Sequence, residues 1–165
     1  MAKRLILMCG IPGAGKSTFI KNHIASDGII ISRDAIRFNM LKSNEDYFSK
    51  ENEVWDEYVK ALKKAIKCEW YTDVVADATH LNAKARNKVL NAISDVLNGV
   101  EVYVLYVDVD LETALKQNSQ RTGRALVPES AIKNMYASLQ TPNKAEGYRR
   151  FGYIEENIIL FKKER

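Results

Sequence analysis

From Leu5 to Cys9 every side chain is apolar, and the chain then runs directly into Gly10-Ile11-Pro12-Gly13-Ala14-Gly15-Lys16-Ser17. A continuous apolar run of this length suits a strand that is covered on both faces. The segment after it fits the pattern G-x-x-x-x-G-K-[ST] without a mismatch. Glycine tolerates backbone angles that a Cβ would forbid. Successive amide N–H groups can then point into one concavity and hold phosphate oxygens. A helix opening at Ser17 adds its positive N-terminal end. Strand, Gly-rich loop and helix in this order commit the chain to an α/β layout.

The loop assigns roles as well as shape. Backbone around Gly10, Pro12, Gly13, Ala14, Gly15, Lys16, Ser17 and Thr18 is expected to cradle a nucleoside triphosphate, ATP. Lys16 would place its ammonium on the β- and γ-phosphates, and the Ser17 hydroxyl would coordinate Mg²⁺. A Gly-rich turn that binds nothing is the alternative. The apolar strand before it and the helical pattern after it favour phosphate.

The rest of the chain alternates between short apolar runs and amphipathic segments. Strands are expected at Arg4 to Cys9, Gly28 to Ser32, Val74 to Ala76, Val100 to Val107 and Tyr153 to Phe161. Helices are expected at Ser17 to Ala25, Asp34 to Leu41 and Glu51 to Trp70, after the caps Asn82 and Asp110, and from Pro128 onward. Lys42 to Ser49 reads as a polar loop. Alternation of this kind means a parallel sheet with helices on both faces. The expected fold is α/β, a P-loop NTPase three-layer sandwich with a five-stranded parallel sheet and a helical lid. With 165 residues and no linker or repeat, residues 1–165 are read as one domain. Apolar content of 46% and charged content of 28% exclude a disordered chain. A net charge of +4 is compatible with a nucleotide or nucleic-acid ligand and selects neither.

Cys9 and Cys68 form no C-x-x-C pair, so no zinc framework is visible. A reduced, cytoplasmic protein is expected. The apolar start mimics a signal peptide but leads into the Gly-rich loop, not into a small-residue cleavage site. No apolar run approaches the roughly 20 residues of a membrane span.

Ligands in such sheets bind beyond the carboxyl ends of the strands. Phosphoryl transfer to a hydroxyl needs a carboxylate there, to take the hydroxyl proton and aim the oxygen. Asp34 follows the second strand, flanked by Arg33 and Arg37. It is the candidate base; capping of the next helix is the other reading of its position. Asp77 ends the third strand and would hold the Mg²⁺ water shell or a substrate group. Arg121 and Arg124 lie between two helices, where a mobile segment could close over the nucleotide and neutralise transition-state charge. A solvated basic loop is the alternative. No Asn-Lys-x-Asp stretch of the guanine-binding kind is present.

These residues together resemble the kinase domain of the 5′-hydroxyl polynucleotide kinases of nucleic-acid repair, from Leu5 to about Ile159. The carriers are the P-loop through Phe19, Ser32-Arg33-Asp34, Asp77-Ala78-Thr79-His80 with Arg86, Leu111-Glu112 through Asn118 and Arg121, and Thr141-Pro142 with Glu146-Gly147-Tyr148. The resemblance implies Asp34 as general base and Arg121 as a catalytic arginine, and it places Arg37, Asp77, Thr79, His80 and Arg86 on the acceptor. Lys16 of the phosphate loop is expected to be catalytic as well, and Arg121 and Arg124 of the lid segment to lie on the nucleotide. Ser32 and His80 stand where that family carries asparagine, and the second change bears on the acceptor's identity. The implied activity is transfer of the γ-phosphoryl of ATP to a 5′-hydroxyl of DNA or RNA, as a partner in nucleic-acid repair. A small-molecule kinase and a nucleotide-switched binding module are the rival readings.

Overall fold

A computed structural model describes residues 2–23 and 26–164. Strand β1 (Arg4–Cys9) leads through the Gly-rich loop into α1 (Lys16–His23). Strand β2 (Gly28–Ser32) continues without a loop into α2 (Arg33–Met40). Next come α3 (Glu51–Lys67), β3 (Asp73–Asp77), α4 (Ala83–Ala92) and β4 (Glu101–Val107). Helices α5 (Leu111–Ser119) and α6 (Glu129–Ser138) precede β5 (Tyr148–Glu155) and β6 (Ile158–Lys163). The expected end of the first helix, at Ala25, lies outside the described residues.

Among the described residues the sheet has the order β2-β3-β1-β4-β6-β5. The apolar β1 is central, parallel to β3 on one side and β4 on the other. Its alternate residues feed two cores, as a period of two requires. Leu5, Leu7 and Cys9 face α3 and α4, meeting Tyr58, Leu62, Val89 and Ile93. Met8 faces the opposite layer, with Phe19 and Ile20 of α1, Ala114 of α5 and Ile132 of α6. This is the expected three-layer α/β sandwich.

The sheet departs from five parallel strands at its end. Tyr153 to Phe161, expected as one strand, spans a hairpin turn. β5 and β6 pair antiparallel, and β6 also runs antiparallel to β4. The polar Glu155-Glu156-Asn157 interrupts the apolar run and makes the turn. That turn is held at the carboxyl edge of the sheet, where Asp108 N–H donates to Asn157 O at 2.8 Å.

Several local expectations hold with small shifts. Asn82 Oδ1 accepts from Ala85 N–H at 2.9 Å, and Asp110 Oδ1 accepts from Thr113 N–H at 2.7 Å. Helix α4 stops at Ala92, and a 3₁₀ turn over Ser94–Val96 carries the chain on. Among the described residues no helix is long and apolar enough to cross a membrane. Both cysteines are free thiols. Burial raises the Cys9 thiol to about 11, so it stays protonated and unreactive.

Candidate active site

The Gly-rich loop occupies the carboxyl end of β1. Gly13 and Gly15 hold φ of +83° and +91°, in the left-handed region open to glycine. Gly13 has a second constraint. A Cβ built on it would lie 2.4 Å from Ala114 O, so the loop touches the backbone of α5. Gly13→Ala is expected to lose about 2–4 kcal/mol of stability, from overpacking plus left-handed strain. Urea denaturation with and without nucleotide would measure it. The start of the loop is tied to the β3–α4 connection, since Gly10 N–H donates to Thr79 O at 3.1 Å.

Lys16 folds back over this loop and donates to Gly10 O at 2.6 Å and Ile11 O at 3.0 Å. Burial lowers its pKa to about 8, against the attraction of Asp77 and Asp34 and with a repulsion from Arg121. Those contributions mark Lys16, Asp77, Asp34 and Arg121 as one electrostatic neighbourhood. Since Lys16 carries charge below about 8 and loses it above, phosphate affinity of the free protein should fall as pH rises through that value. Titration of a fluorescent nucleotide analogue from about pH 7 to about pH 9 tests this. A flat affinity would mean that Lys16 does not hold the phosphates.

Asp77 sits at the end of β3, where its carboxylate accepts a hydrogen bond from the Ser17 hydroxyl. Burial raises its pKa, and the nearby Asp34 adds to the rise. A hydroxyl and a carboxylate side by side form a hard-oxygen donor set. That fits Mg²⁺, which takes one or two protein oxygens together with phosphate and water.

Asp34 lies in the first turn of α2 and does not cap it. Ser32 caps the helix instead, its Oγ accepting from Ala35 N–H at 3.1 Å. Asp34 therefore has its carboxylate available. Its Oδ1 accepts from Arg37 and from Tyr47 Oη. Among the described residues its Oδ2 carries no hydrogen bond, and the side chain is 59% exposed.

Arg37 is 4% exposed. It donates to Asp34, to Tyr47 Oη at 2.7 Å and to Glu51 Oε2 at 2.7 Å. Its guanidinium lies 4.2 Å from the Tyr47 ring centre. Glu51 also pairs with Arg33, which lies 5.3 Å from the Trp55 ring. Arg37 thus acts as an internal strut between α2, the 42–50 loop and α3. Tyr47 and Glu51 are site residues that the sequence reading passed over. The signal was present as aromatics inside a segment read as polar, Tyr47-Phe48.

The lid segment follows α5. Buried Asn118 donates to Val127 O at 2.7 Å and accepts from Val127 N–H at 3.0 Å, which closes residues 118–127 into a loop. Arg121 is half-buried there and lies near enough to Lys16 to depress its pKa. Arg124, expected on the nucleotide, instead donates to Phe38 O at 3.1 Å and Leu41 O at 3.2 Å. Carbonyls at a helix C-terminus lack partners within the helix, and a guanidinium supplies them. The lid is thereby latched to α2.

Besides Arg37, two more residues expected on the acceptor are buried. His80 is 6% exposed. Burial pushes its pKa down to about 4, so it is neutral. Its Nδ1–H donates to Met8 O at 2.7 Å, and Nε2 lies 3.3 Å from Tyr58 Oη. Arg86 is fully buried and forms a two-bond pair with Glu146, both at 2.8 Å. It also donates to His80 O at 3.0 Å and Gln140 O at 3.1 Å. With these partners filled, neither side chain faces an acceptor. Thr79 contributes through its carbonyl to the Gly-rich loop.

Residues 5–142 match the model of a protein family described as AAA domain. Over 144 residues the chain is 31% identical to the L-seryl-tRNA(Sec) kinase of Methanococcus maripaludis, covering 84% of this chain and 53% of that protein. It is 27% identical over 161 residues to a bifunctional polynucleotide kinase/RNA ligase of Autographa californica nuclear polyhedrosis virus, covering 89% of this chain and 22% of that protein. The chain thus spans about half the length of the first relative and less of the second. In fold it is similar to a chain of the Pnkp1/Rnl/Hen1 RNA repair complex, with TM-score 0.70, 21% identity and coverage of 84% and 44%. It is also similar to a gluconokinase from Sinorhizobium meliloti 1021, with TM-score 0.54, 19% identity and coverage of 84% and 75%. At these identities the two likenesses are of fold.

Proposed function

Because the chain belongs to the AAA domain family, with a complete phosphate loop, we propose that it is a kinase moving the γ-phosphoryl group of ATP to the 5′-hydroxyl end of a nucleic acid. One observation carries the kinase reading. Asp34 is held by two donors on one carboxylate oxygen and left open on the other, in the same electrostatic neighbourhood as Lys16. A protein that only binds nucleotide and switches shape has no need of such an acceptor carboxylate.

The chemistry then divides among the residues. Backbone N–H groups of Gly13 to Thr18 and the Lys16 ammonium bind the phosphates, Lys16 exchanging its two loop carbonyls for phosphate oxygens. Ser17 and Asp77 would hold Mg²⁺, which neutralises phosphate charge when bound. Asp34 Oδ2 accepts the proton of the acceptor hydroxyl. The hydroxyl oxygen forms the new bond to the γ-phosphorus as the bond to the bridging oxygen breaks, and ADP leaves. Arg121 offers positive charge to the transferring group.

The acceptor is the finer part of the proposal. It is supported by the resemblance to polynucleotide kinases and by the viral relative's name. The 31% identity to L-seryl-tRNA(Sec) kinase supports a second reading, in which the hydroxyl belongs to an amino acid carried by tRNA. Incubation with ATP labelled at the γ-phosphate, against 5′-hydroxyl DNA and RNA oligonucleotides, seryl-tRNA and gluconate, separates them. Label on oligonucleotide ends is the expected result. Label on seryl-tRNA or on gluconate alone would overturn the assigned acceptor and keep the kinase.

A further inference from the structure

The 42–50 loop places an exposed aromatic surface beside the open carboxylate. Phe48 is 61% exposed. Its ring centre lies 4.7 Å from that of Tyr47, at 83°, and Tyr47 Oη donates to Asp34 Oδ1 at 2.5 Å. The Tyr47 ring is already engaged. Arg37 lies against it at 4.2 Å and Phe38 meets it edge-on at 6.1 Å. Arg37 is also 5.9 Å from the Phe48 ring, so the inner side of Phe48 is fixed by a cation and an aromatic edge. What remains is an outward aromatic surface within a few ångströms of a residue that holds the proposed base.

The other large exposed aromatics, Trp70, Tyr136, Phe151 and Tyr153, lie elsewhere. Trp70 follows α3 at the amino end of β3, Tyr136 is on α6, and Phe151 and Tyr153 are on the edge strand β5. Phe48 alone among them adjoins Asp34. A solvent-facing phenyl ring is unfavourable in water and gains most from a flat partner. Nucleobases have such a face, and base-on-aromatic stacking tolerates any base identity. A sugar acid has none, and in a seryl-tRNA the reacting hydroxyl sits on the amino acid and not on the nucleoside.

We propose that Phe48 is the stacking site for the first nucleobase of the acceptor, a specificity element that selects a nucleoside end over an aliphatic hydroxyl. The inference rests on the proposed nucleic-acid acceptor. Tyr47 ties the stacking ring to the base: one residue orients Asp34 and its neighbour seats the base whose sugar carries the reacting hydroxyl.

The test compares Phe48→Ala and Phe48→Trp with the unmodified protein. Each is assayed on a 5′-hydroxyl oligonucleotide and on the same strand with an abasic first residue, which keeps the hydroxyl and the phosphates. Phe48→Ala is expected to raise KM about ten-fold or more on the normal strand with kcat little changed. On the abasic strand it should leave KM unchanged, and Phe48→Trp should restore the normal KM. A rise in KM of equal size on both strands, or none on either, overturns the stacking site. If the unmodified protein labels no 5′-hydroxyl strand at all, the acceptor reading fails and the stacking site fails with it.

Discussion

Asp34→Asn is expected to lower turnover about 10²- to 10⁴-fold, the usual contribution of a positioned general base, while ATP affinity changes by less than about two-fold. The substitution isolates chemistry from geometry. Asparagine keeps an Oδ1 that can accept from Arg37 and Tyr47 Oη, so the α2 strut and the 42–50 loop stay in place. What disappears is the carboxylate oxygen proposed to take the acceptor proton. The phosphate loop lies on β1 and α1, and its backbone does not pass through Asp34. Single-turnover rates at saturating ATP and acceptor, beside a nucleotide-binding titration, make the measurement. Turnover within about three-fold of the unmodified protein would remove Asp34 as the base.

Arg86→Ala is expected to destabilise the fold by about 3–5 kcal/mol, because it strands the Glu146 carboxylate in the interior. The pair is dry on both sides, with side chains 0% and 4% exposed. Arg86 also satisfies two carbonyls from separate segments, His80 O and Gln140 O. Those groups would lose their partners together with the carboxylate. A domain of this size is stable by only about 5–15 kcal/mol, so the loss is a large share. Chemical denaturation of Arg86→Ala, of Glu146→Leu and of the double variant Arg86→Met/Glu146→Leu separates the contributions. The double variant should recover much of the loss, since removing both charges also removes the stranded one. If Arg86→Ala unfolds at the unmodified midpoint, the buried pair does not hold this region.

The two substitutions concern residues that the sequence placed in one site and that the structure separates. Asp34 and Arg86 both follow strands in chain order and both belong to the resemblance. A strand-end position predicts the ligand edge well, because every parallel strand terminates there. Lys16, Ser17 and Asp34 lie there, after β1 and β2, and Asp77 ends β3. A strand-end position says nothing of Arg86, which the resemblance alone put on the acceptor and which lies most of a helical turn inside α4, on the face that packs on the sheet. It did not serve His80, whose backbone turns through a positive φ of 40° and sends the ring under β1.

Misplacement of the last strands has a similar origin. Five apolar runs suggested five strands, and alternation with helices suggested that all were parallel. The turn at Glu156 and Asn157 is visible in the sequence once the run is divided there. A hairpin then follows from the short connection, since parallel neighbours need a crossover of a dozen or more residues.

Local chemistry determined what the sequence alone could determine. The Gly-rich loop needs glycine at Gly13 and Gly15 for its positive φ angles. Apolar β1 needs cover on both faces, and together these imposed the three-layer fold, the phosphate cradle and the edge at which Asp34 would appear. Tertiary structure decided which side chains share that edge. Tyr47, Glu51 and Asn118 joined the site through contacts 13, 14 and 9 residues away in the chain, to Asp34, Arg37 and Val127. No periodicity or motif encodes such pairings. Arg124 went to the carbonyls of α2, and Arg86 and His80 went to the interior, because unsatisfied backbone and buried carboxylate groups claim the nearest donors the fold brings to them.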